Sequence, residues 1–427
     1  METSIKFENI NKFSNDLNEC IECGNCTLWC PIYQEKQVDE YVARGKNKLV
    51  KKILCGKEDY NKKNIDILGM CTLCGTCAEH CPVKCQMQSV TIAARADKVN
   101  AKGVGFLPKI IYQKIIPKRY LFGQLVRFAS YIQRVFFKKA EGRMRHLPLF
   151  LSAIGKGRQI PAIAPKFLRQ IIPAYNKPPQ GVETKMRVGY FMGCSTDFIF
   201  PDIGEKVIGF LNKNGIEVIV PKEQGCCGAP IWLGAGDFET GRGIAHKNCE
   251  LFDGVDYVIS NCATCTSAVK DYPKYLADTN EALDKFTKFA HKIIDVNEFI
   301  TDVLKLNATS RKASPEVTGK IVTWHDPCHL NRYLKVKNQP REILKSIQGI
   351  KYVEMREADR CCGMAGAFSV YHYDVSKNIA DRKAQCINET GADIVATGCP
   401  GCMIQLMDCI ERNKLPQKVM HIMELIG

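Results

Sequence analysis

Six short runs of β-branched and aromatic residues mark the C-terminal half of the chain, each bounded by turn residues as buried strands are. They cover 187–191, 217–220, 256–260, 320–324, 351–355 and 393–397. Segments with helical periodicity lie between them, at 204–211, 240–252 and 377–390. Strands alternating with helices predict parallel sheets with crossover helices, whose strand carboxyl ends form a ligand crevice. The N-terminal quarter has no such runs and contains helical stretches such as 38–52. Between the two parts, residues 121–139 carry an apolar stripe at helical spacing, formed by Leu121, Leu125, Phe128, Ile132, Val135 and Phe136. Arg127, Arg134, Lys138 and Lys139 fall on its other faces.

The strand runs belong to an internal repeat, and the cysteines make it plain. Cys194, Cys226-Cys227-Gly228 and Cys262-Ala263-Thr264-Cys265 follow the first three runs. Cys328, Cys361-Cys362-Gly363 and Cys399-Pro400-Gly401-Cys402 follow the other three. Each set of five thiols should therefore converge on one sheet crevice. Thiolates select zinc, copper(I) or iron–sulfur clusters, and five ligands exceed a closed tetrahedral zinc site. The plain alternative is buried free thiol, since cysteine packs as a small hydrophobe. Ten thiols in register are not a packing pattern.

Two further runs stand near the N-terminus. Cys20-x2-Cys23-x2-Cys26-x3-Cys30-Pro31 is followed by Cys71-x2-Cys74-x2-Cys77-x3-Cys81-Pro82. Both have the spacing of bacterial ferredoxins, whereas zinc sites use paired C-x2-C motifs without this continuous run. Gly24 and Gly75 let the backbone wrap closely, and each proline ends the tight loop. Cys55, Cys85, Cys249, Cys386 and Cys409 sit at no motif spacing and read as incidental thiols.

Over residues 186–427 the repeat resembles the CCG cysteine-rich domain of heterodisulfide reductase. The same domain occurs in the iron–sulfur subunits of glycolate oxidase, D-lactate dehydrogenase and anaerobic glycerol-3-phosphate dehydrogenase. The resemblance implies one non-cubane [4Fe–4S] cluster per complete five-cysteine set. One set is Cys194, Cys226, Cys227, Cys262 and Cys265; the other is Cys328, Cys361, Cys362, Cys399 and Cys402. Two-cluster ferredoxins cross their fourth ligands. By that resemblance Cys20, Cys23, Cys26 and Cys81 hold one cubane, and Cys71, Cys74, Cys77 and Cys30 the other. The expected fold is α+β and multidomain: a helical ferredoxin-type domain (1–97), a basic Pro-interrupted connector (98–185), and tandem α/β CCG domains (186–317 and 318–427) in a pseudo-twofold relation.

Composition narrows the setting. The chain has 427 residues, 23 cysteines and a net charge of +15. No secretory or membrane-spanning stretch is evident, so the thiols belong to a reducing cytoplasm and not to a disulfide scaffold. Residues 98–187 hold 19 Lys and Arg against Glu141 and Glu183, which marks a partner surface. The 121–139 helix has three uses open to it: its own core, a partner groove, or an anionic membrane surface. Gly155-Lys156-Gly157-Arg158 reads as a turn or joint. No nucleic-acid-binding fold accompanies the basic charge.

No glycine-rich nucleotide fingerprint follows a strand, so any flavin belongs to another chain. His325 and His329 flank Cys328, where a proton-donor role competes with a structural one; no residue is assigned to catalysis. These features describe an iron–sulfur electron-transfer subunit of an anaerobic oxidoreductase. Its expected partner is an FAD-containing 2-hydroxyacid dehydrogenase of the glycolate or D-lactate type, with a quinone, cytochrome or other carrier beyond. The alternative is a heterodisulfide-reductase-like subunit that cleaves a disulfide at its own clusters. The expected location is cytoplasmic, peripheral to the inner face of the cell membrane in one variant of the reading.

Overall fold

The computed structural model describes residues 7–139, 143–146, 158–306 and 311–427. Helix and sheet are mixed, and each cysteine-rich repeat has its own sheet. In the first repeat, β1 (Tyr175–Asn176), β2 (Met186–Tyr190), β3 (Ile216–Ile219), β4 (Tyr257–Ser260) and β5 (Ile293–Asp295) lie in the order β1-β3-β2-β4-β5. All pairs are parallel except β1 with β3. In the second, β6 (Ile321–His325), β7 (Lys351–Tyr352), β8 (Ile394–Thr397) and β9 (Lys418–His421) lie in the order β7-β6-β8-β9, all parallel. Without β1 the two sheets share one topology, as the alternation of strand and helix predicts. Val188, Tyr190, Val218 and Val258 of one sheet, and Val322, Trp324, Val395 and Ala396 of the other, are fully buried.

Two details differ from the hydrophobic pattern. The run at 351–355 pairs as a strand only over Lys351–Tyr352. Beyond it the chain leaves the sheet, and Glu354 takes hydrogen bonds from Arg341 and Tyr352. The edge strands β5 and β9 are additions outside the six predicted runs.

The N-terminal part is helical. Helix Met87–Lys102 is its spine, and Asp97 there accepts from the backbone N–H groups of Asn9 and Ile10 and so anchors the first helix. Arg95 on the same helix joins this part to the first repeat. Its guanidinium donates to the carbonyls of Leu68, Gly69 and Cys71 on one side and of Leu233 and Gly234 on the other. Tyr333 and Arg332 make the matching joint to the second repeat, donating to Leu73 O (2.6 Å) and Glu79 (2.6 Å).

The basic connector supplies the main surprise. Its helix, Arg119–Phe136, turns polar residues inward: Ser130 and Gln133 are its buried positions. Gln133 donates to Pro161 O (2.9 Å) and accepts from Ile163 N–H (2.8 Å). All six residues of the predicted stripe are exposed instead. The use as a core helix is therefore overturned: the side held to the protein is the one that carries Gln133 and its two backbone hydrogen bonds, and the apolar face lies on the other. The joint expected at Gly155-Lys156-Gly157 lies outside the described residues.

Candidate metal centres

In each repeat the lone cysteine and the C-x-x-C motif follow directly on a strand end, while the Cys-Cys pair lies further along the loop after its strand. Cys194 opens helix Cys194–Phe198 after β2, and Cys262 caps helix Ala263–Lys270 after β4. Cys328 and Cys399 hold matching places before His329–Tyr333 and Pro400–Arg412. Helix N-termini favour the thiolate form that a metal needs. Cys226-Cys227 and Cys361-Cys362 turn on glycines with φ of +79° and +88°. In both copies the glycine N–H points at the first sulfur of the pair, Gly228 to Cys226 and Gly363 to Cys361, each at 3.3 Å. A Cβ on Gly363 would lie 2.7 Å from Ser376 O, so no side chain fits that turn.

All ten of these cysteines border one cavity of about 550 Å³, together with Cys71, His329 and His372. The two sets meet where Cys262 faces Cys399, with Thr264 Oγ1 3.7 Å from the Cys399 sulfur. The N-terminal thiols divide between two smaller cavities. One is lined by Cys20, Cys23, Cys26, Cys77, Cys81 and Cys85. The other is lined by Cys30, Cys71, Cys74 and Cys77. Cys85, incidental by spacing, thus sits against a cysteine cavity, whereas Cys249, Cys386 and Cys409 are buried in helices and line none of these three. Cys74 packs on Cys328 and Cys361, which carries the second small cavity up to the second repeat. The four sets therefore form a row: Cys20 set, Cys30/Cys71 set, second repeat, first repeat.

Would these donors suit iron–sulfur clusters? All 23 cysteines are free thiols. Burial pushes the Cys30 thiol up to about 11; the hydrogen bond with Cys361 and burial raise Cys74, and burial with neighbouring thiols raises Cys77. Crowded thiols, some held protonated by burial and others, such as Cys362 and Cys399, held well below the usual thiol range by hydrogen bonds from neighbouring thiols, suit a soft cationic centre. The residues fit the group.

The sequence did not single out the cations beside each set. Lys46 is buried, donates to Tyr41 O and to Met70 O (3.0 Å), and borders the Cys30/Cys71 cavity. Arg44 borders the Cys20 cavity. Lys383 is fully buried near Cys362 and Cys328, and Arg119 pairs with Asp197 while reaching the Cys194 sulfur at 3.8 Å. A buried positive charge favours the reduced, more negative state of a neighbouring centre. Lys46→Met is expected to lower the midpoint potential of the centre at Cys30/Cys71 with its iron retained. Redox titration followed by EPR checks this, and an unchanged midpoint would assign Lys46 to packing.

The histidines at Cys328 are neutral. Burial pushes His325 down to about 3 and His329 to about 4. His329 Nδ1 lies 2.7 Å from Ser267 Oγ and its ring stacks on Tyr333. Among the described residues neither ring nitrogen of His325 has a hydrogen-bond partner, and its ligand atom lies within 4.8 Å of those of Cys362 and Cys402. A proton held on imidazolium is thus disfavoured at both sites.

Comparison with known proteins agrees with this layout. The profile of the CCG cysteine-rich domain matches residues 188–270 and 322–407, and that of a 4Fe-4S dicluster domain matches 16–85. The chain is 28% identical to a probable glycolate oxidase iron-sulfur subunit of Bacillus subtilis, over 97% of this chain and 96% of that one. It is 29% identical to a subunit of a fumarate reductase (CoM/CoB) of Methanothermobacter marburgensis, over 96% of this chain and 72% of the relative. Lactate utilization protein A of a Geobacillus strain is 31% identical, over 57% of this chain and 99% of its own length. A crystal structure of a hypothetical protein from Helicobacter pylori shares the fold, with TM-score 0.51 and 10% identity over 97% of this chain and 70% of that one.

Proposed function

We propose that this chain, which belongs to the family of CCG cysteine-rich iron–sulfur proteins, is the electron-conducting subunit of a 2-hydroxyacid dehydrogenase. The observation that carries the reading is the unbroken row of four cysteine sets from Cys23 to Cys194. Loaded with [4Fe–4S] clusters, cubane at the N-terminal sets and non-cubane at the repeats, the row would pass electrons one at a time. The chain's own part is to hold eighteen thiolates, exclude water from most of them, and set a cation beside each set.

The ends of the row differ. At the first, Cys23 is exposed, and Ile21, Leu28 and Trp29 stand out around it, with Trp29 stacked on His80. That patch suits an FAD-containing dehydrogenase subunit, since oxidation of a 2-hydroxyacid to a 2-oxoacid releases two electrons and two protons together. At the other end, Cys194 lies beneath the basic connector, toward a quinone, cytochrome or other carrier. Relatives named for glycolate oxidase and lactate utilization support this assignment. In the decisive experiment, the anaerobic complex is mixed with glycolate or D-lactate and cluster bleaching is followed. Bleaching that needs the flavoprotein supports the reading; none with either acid refutes it. Leu28→Glu with Trp29→Glu is expected to abolish that bleaching with iron content unchanged, and normal bleaching in the pair would move the partner's dock elsewhere.

One observation favours a second reading. Both complete five-cysteine sets face a single cavity, so a small disulfide entering it would meet both sets. A disulfide there would take up two electrons and two protons to give two thiols. Thiol-dependent changes in the EPR signals of the repeat centres would favour it.

A further inference from the structure

The connector's outward face is the feature that the row of cysteines leaves unexplained. Phe106 and Tyr120 are each 82% exposed and Val135 75%, with Leu107, Phe128 and Tyr131 above 60%. On helix Arg119–Phe136 the exposed apolar residues fall within an arc of about 160°, at 100° per residue. Ser130 and Gln133 lie on the opposite side, fixed to the protein. Single exposed apolar residues are ordinary, but a contiguous face of this kind marks an interaction site.

Charge identifies the occupant. Residues 98–139 contain ten Lys and Arg and no acid. Among the described residues no carboxylate pairs with Lys109, Lys114, Lys118, Arg127, Arg134 or Lys138, all of them exposed. Arg127 and Arg134 flank one edge of the apolar arc. An aromatic and aliphatic face rimmed by unpaired cations is the pattern of a helix lying in an anionic lipid interface. A protein groove would need acids matched to these positions and a concave apolar surface. A bilayer supplies both without shape complementarity. No helix among the described residues is long and apolar enough to cross a membrane, so the segment would lie along the surface.

We infer that residues 106–136 seat this chain on an anionic phospholipid surface. The segment's inner side gives the surface a purpose. Pro108, Tyr112, Ile116 and Phe122 line the large cavity whose floor holds Cys194 and Cys226. Docking therefore presses the roof of that cavity against the bilayer, so that a lipophilic carrier would meet the row at its first-repeat end. This placement stands independently of which metal the thiols hold.

The test is flotation of the anaerobically purified, iron-loaded chain. One set of vesicles is phosphatidylcholine alone and the other is phosphatidylcholine mixed with phosphatidylglycerol. The chain is expected to float with the anionic vesicles, to stay behind with the neutral ones, and to be released by salt. Phe128→Glu with Val135→Glu is expected to abolish flotation with iron content and circular dichroism unchanged, since both side chains project into solvent. Lys114→Glu with Lys118→Glu is expected to weaken it and to shift its salt dependence. Absence of flotation with either vesicle overturns the inference. So does undiminished flotation of the Phe128/Val135 variant, or capture of this face by the flavoprotein subunit in place of lipid.

Discussion

Protein purified without oxygen is expected to carry about sixteen irons and as many acid-labile sulfides per chain, four for each set of cysteines. Cys361→Ser should remove about four of them, because that sulfur sits at the head of a pair whose turn has no slack. Its Gly363 N–H is already aimed at the sulfur, and the Gly363 turn tolerates no side chain. Cys226→Ser should remove the matching four from the first repeat. A serine oxygen is a harder and less polarizable donor, poorly suited to soft iron. The double variant should retain about eight irons, with the EPR of the N-terminal centres preserved. Wild-type protein with only about eight irons, unchanged by either substitution, would mean that the repeats are thiol-rich but empty of clusters.

Much of this site could be read from spacing alone, because metal ligation imposes distances that evolution cannot blur without losing the ion. The five-cysteine sets and the ferredoxin-type runs are such constraints. Strand runs around them were equally plain, since buried parallel strands are continuously apolar. What spacing could not supply is the order of the sets. Cys74 meets Cys361, and Cys262 meets Cys399, across long stretches of chain, and nothing local encodes those meetings. Lys46 was hidden for another reason. It sits among lysines in a helix that looks solvated, and only its carbonyl partners Tyr41 and Met70 reveal it as buried.

The connector helix teaches the complementary lesson. Its stripe is legible in the sequence, which leaves open whether that stripe meets the core, a partner groove or a membrane surface. Periodicity reports that a helix has an apolar face and is silent on what that face meets. The groups that hold the helix, Pro161 O and Ile163 N–H, lie beyond the segment and engage both ends of the Gln133 amide.

The second large effect concerns the joint between the N-terminal part and the first repeat. Arg95→Met is expected to cost roughly 3 kcal/mol or more, since it strips a charged donor from a buried hydrogen-bond network. Methionine can fill much of the space, so the loss would come from carbonyls left without a donor and little from a cavity. Those carbonyls belong to Leu68, Gly69 and Cys71 on one side of the joint and to Leu233 and Gly234 on the other. Relaxation by closing the gap is blocked: the backbone at Gly236 already approaches so closely that a Cβ there would lie 2.3 Å from Arg95 O. Cys71 is a lining residue of both the second small cavity and the large one, so slackening at its carbonyl should be felt in the metal sites. Anaerobic denaturant unfolding, followed by fluorescence and by cluster absorbance, separates the two consequences. The expected result is an earlier midpoint, with cluster bleaching preceding loss of helix signal. Arg95→Lys should fall between the two, because an ammonium is a single point donor and cannot span both sides as the guanidinium fork does. A methionine variant within about 0.5 kcal/mol of wild type would mean that packing alone holds the joint.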